Sequence, residues 1–365
     1  MEFLSLGGIV KEQASAVLVG VYTDKITASL VKREGGKTAV VATAIETQEG
    51  VALSGGALDM ERIAFNCRKA LAALPQNAGN IPHDAIFALG GGIEAFSVIH
   101  AKDIREAKDK KISTEELAAF IGAHAQGKNE AVSRSFAESF HIDGFAVADP
   151  VGLNGGEVLI DIVRLACDAG LAQVLTQAAA DAGLAVKGFV DMRYAAATYA
   201  KFFEEGRDSA IVLCVFEQET NAVLVRNRAV AGNGVVQAGY GIMITAIEKT
   251  FSVGHEEAKD IMRAFTHKTL DAHVSERVQA ACSAAGAALV TEIAKTVSNL
   301  DPTSLLPGNI RIVTGEDMPT IDEAFHSPEW LAPLPIERNA TVAVWHTPEH
   351  ENSTTTFDAL IIESL

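Results

Sequence analysis

Two stretches far apart in the chain follow one order of elements. From Ala14 to Ala44 come three β-like runs, "SAVLVGVY", "KITASLVK" and "TAVVATAI", the last two separated by "REGGK", whose glycine pair suits a tight hairpin. "LDMERIAFNCRKALAAL" then opens with Asp59 in N-cap position and repeats apolar residues at helical spacing, so it should lie on the sheet, and "DAIFALG" reads as the strand that returns to it. The order recurs. Asp208 to Val236 carries three more β-like runs, a helix follows from about Ile242, and "NIRIVTG" supplies a late strand. The repeat lies in the pattern of elements, with little residue identity between the two copies.

With 365 residues the chain is long enough for roughly two domains and a sizeable core. Its composition is that of an aliphatic, folded protein: 48% hydrophobic, 21% charged and 6% aromatic. A net charge of -17 argues against nucleic-acid binding, which needs clustered Lys and Arg, and would repel an anionic membrane surface. No run of about 18 apolar residues suggests a membrane span, and "MEFLSLGGIVKEQ" is too short in apolar residues for a signal peptide, so the expected compartment is the cytoplasm. Cys67, Cys167, Cys214 and Cys282 lie far apart in apolar surroundings and read as buried thiols rather than metal ligands or a disulfide.

A duplicated β-β-β-α-β unit is the ground plan of the actin and Hsp70 ATPase superfamily, a ribonuclease H-like α/β fold whose halves clamp a nucleotide. Between the halves lies a stretch outside the repeat. It contains a capping box, Ser113 to Glu116, opening a helix, and two strands around a Pro/Gly turn in "SFHIDGFAVADPVGLNGGEVLIDIVRLA". The expected organisation is a first half of residues 14–90 plus 157–206, an inserted small α/β subdomain at 91–156, and a second half at 207–365.

These features resemble FtsA, the actin-like family of bacterial cell division, whose inserted subdomain typically ends in a strand, a D-P-x-G-M-x-G type turn and another strand. Asp149, Pro150, Gly152, Leu153 and Gly155 stand in that arrangement. "LAQVLTQAAADAGLAVKGFVDMRYAAATYA" is similar to the helix, turn and strand that enter the second half, and Gly239, Gly241, Thr245 and Glu256 to Ala258 match the glycine turn and helices beyond. The resemblance covers about Ala14 to Gly315. It implies a scaffold that contacts like subunits through the insert and offers its second half to a filament such as FtsZ or to another division protein. PilM, the actin-like scaffold of type IV pilus machinery, shares this plan, but its usual acidic, proline-containing helix has no counterpart in the insert. The family's basic amphipathic C-terminal helix is also missing: the chain ends "TTTFDALIIESL", so membrane attachment would come through a partner at the inner face.

The resemblance further implies ATP with Mg²⁺ bound by two D-x-G-x-T turns and a glycine-rich adenosine turn. This chain departs at all three. Gly20 and Tyr22 occupy the Asp and Gly positions of the first turn, Cys214 and Phe216 those of the second, and Glu316 and Asp317 follow Gly315 where further glycines are usual. Tyr22 would fill phosphate space, and Glu217 and Glu219 would repel a triphosphate. The expectation is a pseudo-ATPase with no cofactor and no catalytic residue. Should a weakened ATP/Mg site survive, Thr23, Lys25, Thr220, Asn221, Gly239, Gly241 and Gly315 are the residues that would form it. A working ATPase or sugar-kinase relative would need a catalytic carboxylate, for which Glu217 or Glu219 is the candidate. His255 and His267 are too far apart to serve as adjacent ligands on one helical face, with no acidic partner placed to complete a metal set, and read as solvated-helix residues; "REAKDKK" (Arg105 to Lys111) reads as a solvated loop. No Ser-His-Asp order or G-x-S-x-G motif is present, and "DPVGLNGG" lacks the spaced carboxylates of a calcium loop.

Overall fold

The computed structural model describes residues 15–34, 37–48, 58–74, 82–91, 93–124, 130–202, 208–314, 319–337 and 340–345. The first sheet is built from β1 (Ser15–Val21), β2 (Lys25–Glu34), β3 (Lys37–Thr47), β4 (Asp84–Leu89) and a later strand, with α1 (Met60–Ala73) between β3 and β4. Asp59 caps α1 by accepting a hydrogen bond from the Arg62 amide at 3.0 Å.

An insertion then leaves the sheet: β5 (Glu94–Ile104), α2 (Thr114–His124), β6 (Glu130–Ile142), β7 (Phe145–Val147) and β8 (Glu157–Asp168), in the strand order β5-β8-β6-β7. Ser113 caps α2 through the Glu116 amide, as the capping-box spacing predicts. β8 corrects the expected boundary at 156/157. It is an interior strand of the inserted sheet, paired along its length with β5 and β6, so the inserted sheet runs to Asp168. Arg105 is a second correction. It is buried rather than solvated, its guanidinium held by Glu116 at 2.7 Å and by the carbonyls of Gly155 and Lys110, so it ties the basic loop to the Pro/Gly turn.

The chain returns through α3 (Ala169–Asp181) to β9 (Ala185–Asp191) and α4 (Met192–Phe202). The second half repeats the plan with β10 (Ala210–Val215), β11 (Thr220–Arg226), β12 (Ala229–Val236), α5 (Gly241–Phe251), α6 (His255–Thr266), α7 (Ala272–Ser298), β13 (Asn309–Thr314), α8 (Pro319–His326) and β14 (Thr341–Trp345). The two sheets have the orders β3-β2-β1-β4-β9 and β12-β11-β10-β13-β14, each an antiparallel meander continued by parallel strands. They are the same arrangement twice.

β10 is buried on both faces. Val212, Cys214 and Phe216 join the core that fills the first half, whereas Ile211, Leu213 and Val215 join the core over which α5 and α7 pack. α4 lies between the two sheets, touching β9, β10 and β11. Its sequence, "MRYAAATYAKF", buries Ala195, Ala196, Ala197 and Ala200, so short side chains let both sheets approach. α7 is long and apolar enough by composition to cross a bilayer, and here it sets Val278, Cys282, Leu289 and Ile293 into the second core.

All three units meet at Glu138 of β6. Its carboxylate accepts from Lys201 Nζ (2.5 Å) and Tyr194 OH (2.8 Å) of α4 and from the Val230 amide of β12 (3.0 Å). Burial pushes the Lys201 ammonium below its ordinary value, against the pull of Glu138. Lys201→Met should therefore strand the buried carboxylate and cost about 3–5 kcal/mol in urea unfolding. The double variant Lys201→Met/Glu138→Gln should recover part of that loss.

Candidate functional site

The duplicated turns face each other between the halves. In the first, the Tyr22 amide donates to the Lys25 carbonyl at 3.0 Å; in the second, the Phe216 amide donates to the Glu219 carbonyl at 2.9 Å. Tyr22 and Phe216 are thus equivalent positions of one repeated turn. Their rings meet with centroids 6.5 Å apart, and both side chains are 2% exposed. A Cβ on Gly90, which follows β4, would stand 2.9 Å from Phe216 Cε1 and 2.6 Å from Met192 Sδ. The aromatic plug is packed against backbone on its far side as well.

The polar atoms around this plug are engaged with one another. Gln48, just beyond β3, donates through Nε2 to the Tyr22 carbonyl (2.5 Å), and its amide donates to the Asp24 carbonyl (2.6 Å). Lys25 Nζ stands 5.6 Å from the Tyr22 ring centroid. Thr220 Oγ1 donates to the Ala238 carbonyl at 2.9 Å, while Asn221 donates to Glu219 (2.6 Å) and accepts from Arg193 (3.3 Å), itself clamped on Asp191. Tyr240 OH donates to Asp24 Oδ2 at 2.6 Å, a buried bond from one half to the other. Thr23 Oγ1 is the exception: it is buried without a hydrogen-bond partner, beside Gly91 and Phe216.

Gly239 and Gly241 open α5, where backbone amides would ordinarily be open to a ligand. Here the Tyr240 amide donates to the Phe216 carbonyl (2.9 Å) and the Gly241 amide to the Glu217 carbonyl (2.8 Å). A Cβ on Gly239 would overlap the Phe216 carbonyl oxygen. These glycines let the helix start sit directly on the second turn, which gives them a packing role without any ligand. Six of the seven sequence-derived site residues, Thr23, Lys25, Thr220, Asn221, Gly239 and Gly241, therefore converge on one region. Gly315, with Glu316 and Asp317, lies outside the described residues.

Sequence reasoning missed Tyr240, Asp24, Gln48 and Arg193, whose partners lie far along the chain. It also missed the partners of His255. That ring contacts Glu248 at 2.6 Å and Glu217 at 3.2 Å, and Lys259 adds a second contact to Glu217 at 3.3 Å. α6 thus caps the second turn through His255 and Lys259. Among the described residues, no group of three or more His, Cys, Asp or Glu is disposed to hold a metal ion.

Burial, reinforced by the nearby Asp24 charge, holds Glu217 above its ordinary value of 4.5, with Lys259 and His255 pulling the other way. A carboxylate raised in the folded state contributes stability below its unfolded value, and that contribution is lost as pH rises through the folded value. The stability of Glu217→Gln relative to wild type should accordingly improve as pH rises above about 4.5, read as urea midpoints across a pH series. Gly239→Ala should cost on the order of 3 kcal/mol in thermal or urea unfolding, because backbone stands where the methyl group would go.

No family model matches the sequence, and a comparison with curated proteins finds no match. Solved structures do match. A chain of a PilM–PilN type IV pilus biogenesis complex superposes with a TM-score of 0.65 at 16% identity, over 96% of this chain and 98% of that one. The ethanolamine utilization protein EutJ from Carboxydothermus hydrogenoformans superposes with a TM-score of 0.53 at 17% identity, over 97% and 94%. At such identities the likeness speaks to the fold, and with the twice-repeated strand order it shows that this chain has the actin-like duplicated α/β fold.

Proposed function

We propose that this protein is a scaffold of the actin-like fold that binds protein partners without needing a nucleotide. One observation carries the reading. The space between the two repeated turns, where an actin-like ATPase would hold phosphates, is filled by Tyr22 and Phe216 and bridged by the Tyr240–Asp24 bond. Thr220, Asn221, Gly239 and Gly241 then serve the fold, and Glu217, held by His255 and Lys259, is a structural carboxylate rather than a catalytic one. In this reading the protein is a pseudo-ATPase of the FtsA kind, cytoplasmic and brought to the inner face of the membrane by a partner. The insert contacts like subunits, and the second half meets a filament such as FtsZ.

A second reading is a platform of the PilM kind that grips a segment of a membrane protein. The observation favouring it is the likeness to a chain of the PilM–PilN complex over nearly the whole length of both. Co-purification with a tubulin-like filament supports the division role, and co-purification with the cytoplasmic tail of a membrane protein supports the pilus-type role.

The scaffold reading is tested by calorimetric titration of the nucleotide-stripped protein with Mg-ATP and Mg-ADP, alongside thermal unfolding. Neither heat nor a rise in Tm at millimolar nucleotide is expected. Micromolar binding would overturn the assignment of Tyr22 and Phe216 as a plug.

A further inference from the structure

α7 and α8 pack together most tightly at Gly286, where a Cβ would stand 3.0 Å from the Ala324 Cβ. Beside that contact the short side chains of Ser283 and Ala287 leave a groove of about 290 Å³, with a 3₁₀ turn at Pro328–Trp330 as its third wall. The volume suits a long side chain rather than a folded unit. Its floor is apolar: Val290 and Trp330 are buried there, and the indole is fixed by Nε1 donating to the Phe325 carbonyl at 2.9 Å.

The polar groups around this floor are of one kind. Thr320 is 1% exposed and gives its proton to Met243 Sδ at 3.2 Å, a weak acceptor, which leaves the lone pairs of its oxygen for a donor. Glu323 stands one turn further along α8, exposed and steadied by Gln279 of α7, which donates to Oε2 at 2.5 Å. Glu329, also exposed, sits on the 3₁₀ turn, its amide held by Ser327 Oγ. Neither carboxylate has an ion pair among the described residues, and no lysine, arginine or histidine lines the groove. Acceptors over an apolar floor are complementary to a methylene stem that ends in a group able to donate and unable to accept. Lysine and arginine have that form.

Two further features bear on where such a side chain comes from. Ser283, Ala287 and Thr291 form an exposed row along one flank of α7, so the groove is open to a chain running beside the helix. The net charge of -17 draws a basic partner at long range. Taking the protein as a scaffold, as above, we propose that the α7–α8 groove seats a lysine or arginine from a basic segment of a protein partner. The stem lies against Val290 and Trp330, and the charge lies beside Glu323, Glu329 and the Thr320 oxygen.

The test is fluorescence anisotropy of a labelled peptide in which arginines alternate with leucines, titrated with the nucleotide-stripped full chain, with and without Mg-ATP. Saturable binding is expected, and it should weaken with added salt. Glu323→Gln/Glu329→Gln should lower the affinity by about tenfold or more, and Ala287→Trp, which fills the groove and keeps every charge, should do the same. Glu61→Gln/Asp260→Asn, an equal loss of charge at exposed positions elsewhere, should change it by less than about twofold. All three variants alter exposed side chains and should keep the wild-type circular dichroism spectrum and Tm. Absence of saturable binding, binding that the groove variants leave intact, or an equal loss in the Glu61/Asp260 pair overturns the proposal. Free arginine amide competing as strongly as the peptide assigns the groove to a small cation and overturns a protein partner. Peptide binding that appears only with Mg-ATP supports the groove and counts instead against a scaffold that needs no nucleotide.

Discussion

The architecture turns on a single strand with two obligations. β10 and the residue that follows it alternate so that Val212, Cys214 and Phe216 face the first half while Ile211, Leu213 and Val215 face α5 and α7, and none of the six is accessible beyond 2%. One face therefore cannot be satisfied by the second half alone; it has to be covered by α4 and the first-half core. At roughly 25 cal/mol per Å² of apolar surface, uncovering that face would be expensive, and this, more than any one polar contact, keeps the halves together. The alanines of α4 set how closely the two sheets approach, and that spacing places Tyr22 and Phe216 within reach of each other.

The repeated turns show how one hairpin geometry, used twice, can bring two large rings together. A hairpin between antiparallel strands needs its closing hydrogen bond, and both turns keep it: Tyr22 to Lys25 and Phe216 to Glu219. The gap between them is filled by side chains. Two large rings bury more apolar surface than glycine backbone could, and the amides that open α5 turn to the carbonyls of the second hairpin. Tyr240 then finds Asp24 across the gap, a bond possible only when the gap is narrow.

Much of this was legible in the chain itself, because period-two runs, the Asp59 cap and the Ser113–Glu116 box act over a few residues. That each turn carries a large aromatic residue, Tyr22 in one and Phe216 in the other, was also visible; that their rings meet was not. The failures share a cause. β8 was split from the insert because an apolar run does not say which sheet it joins, and only pairing with β5 and β6 decides it. Arg105 reads as solvated, and the contacts of His255 go unseen, because their partners come from other elements: Gly155 lies 50 residues from Arg105, and Glu217 lies 38 residues from His255. Tyr240 and Asp24 are separated by 216 residues, a distance over which no local pattern carries information.

The carboxylate of Glu138, anchored on β6 and gripped from α4 and β12, also has a mechanical meaning. Besides the two chain connections of the insert, that side chain ties it to the helix between the halves and to the edge of the second sheet. One side chain thus joins three units that the order of the sequence keeps apart, and any repositioning of the insert has to be accommodated by α4 and by the edge of the second sheet together.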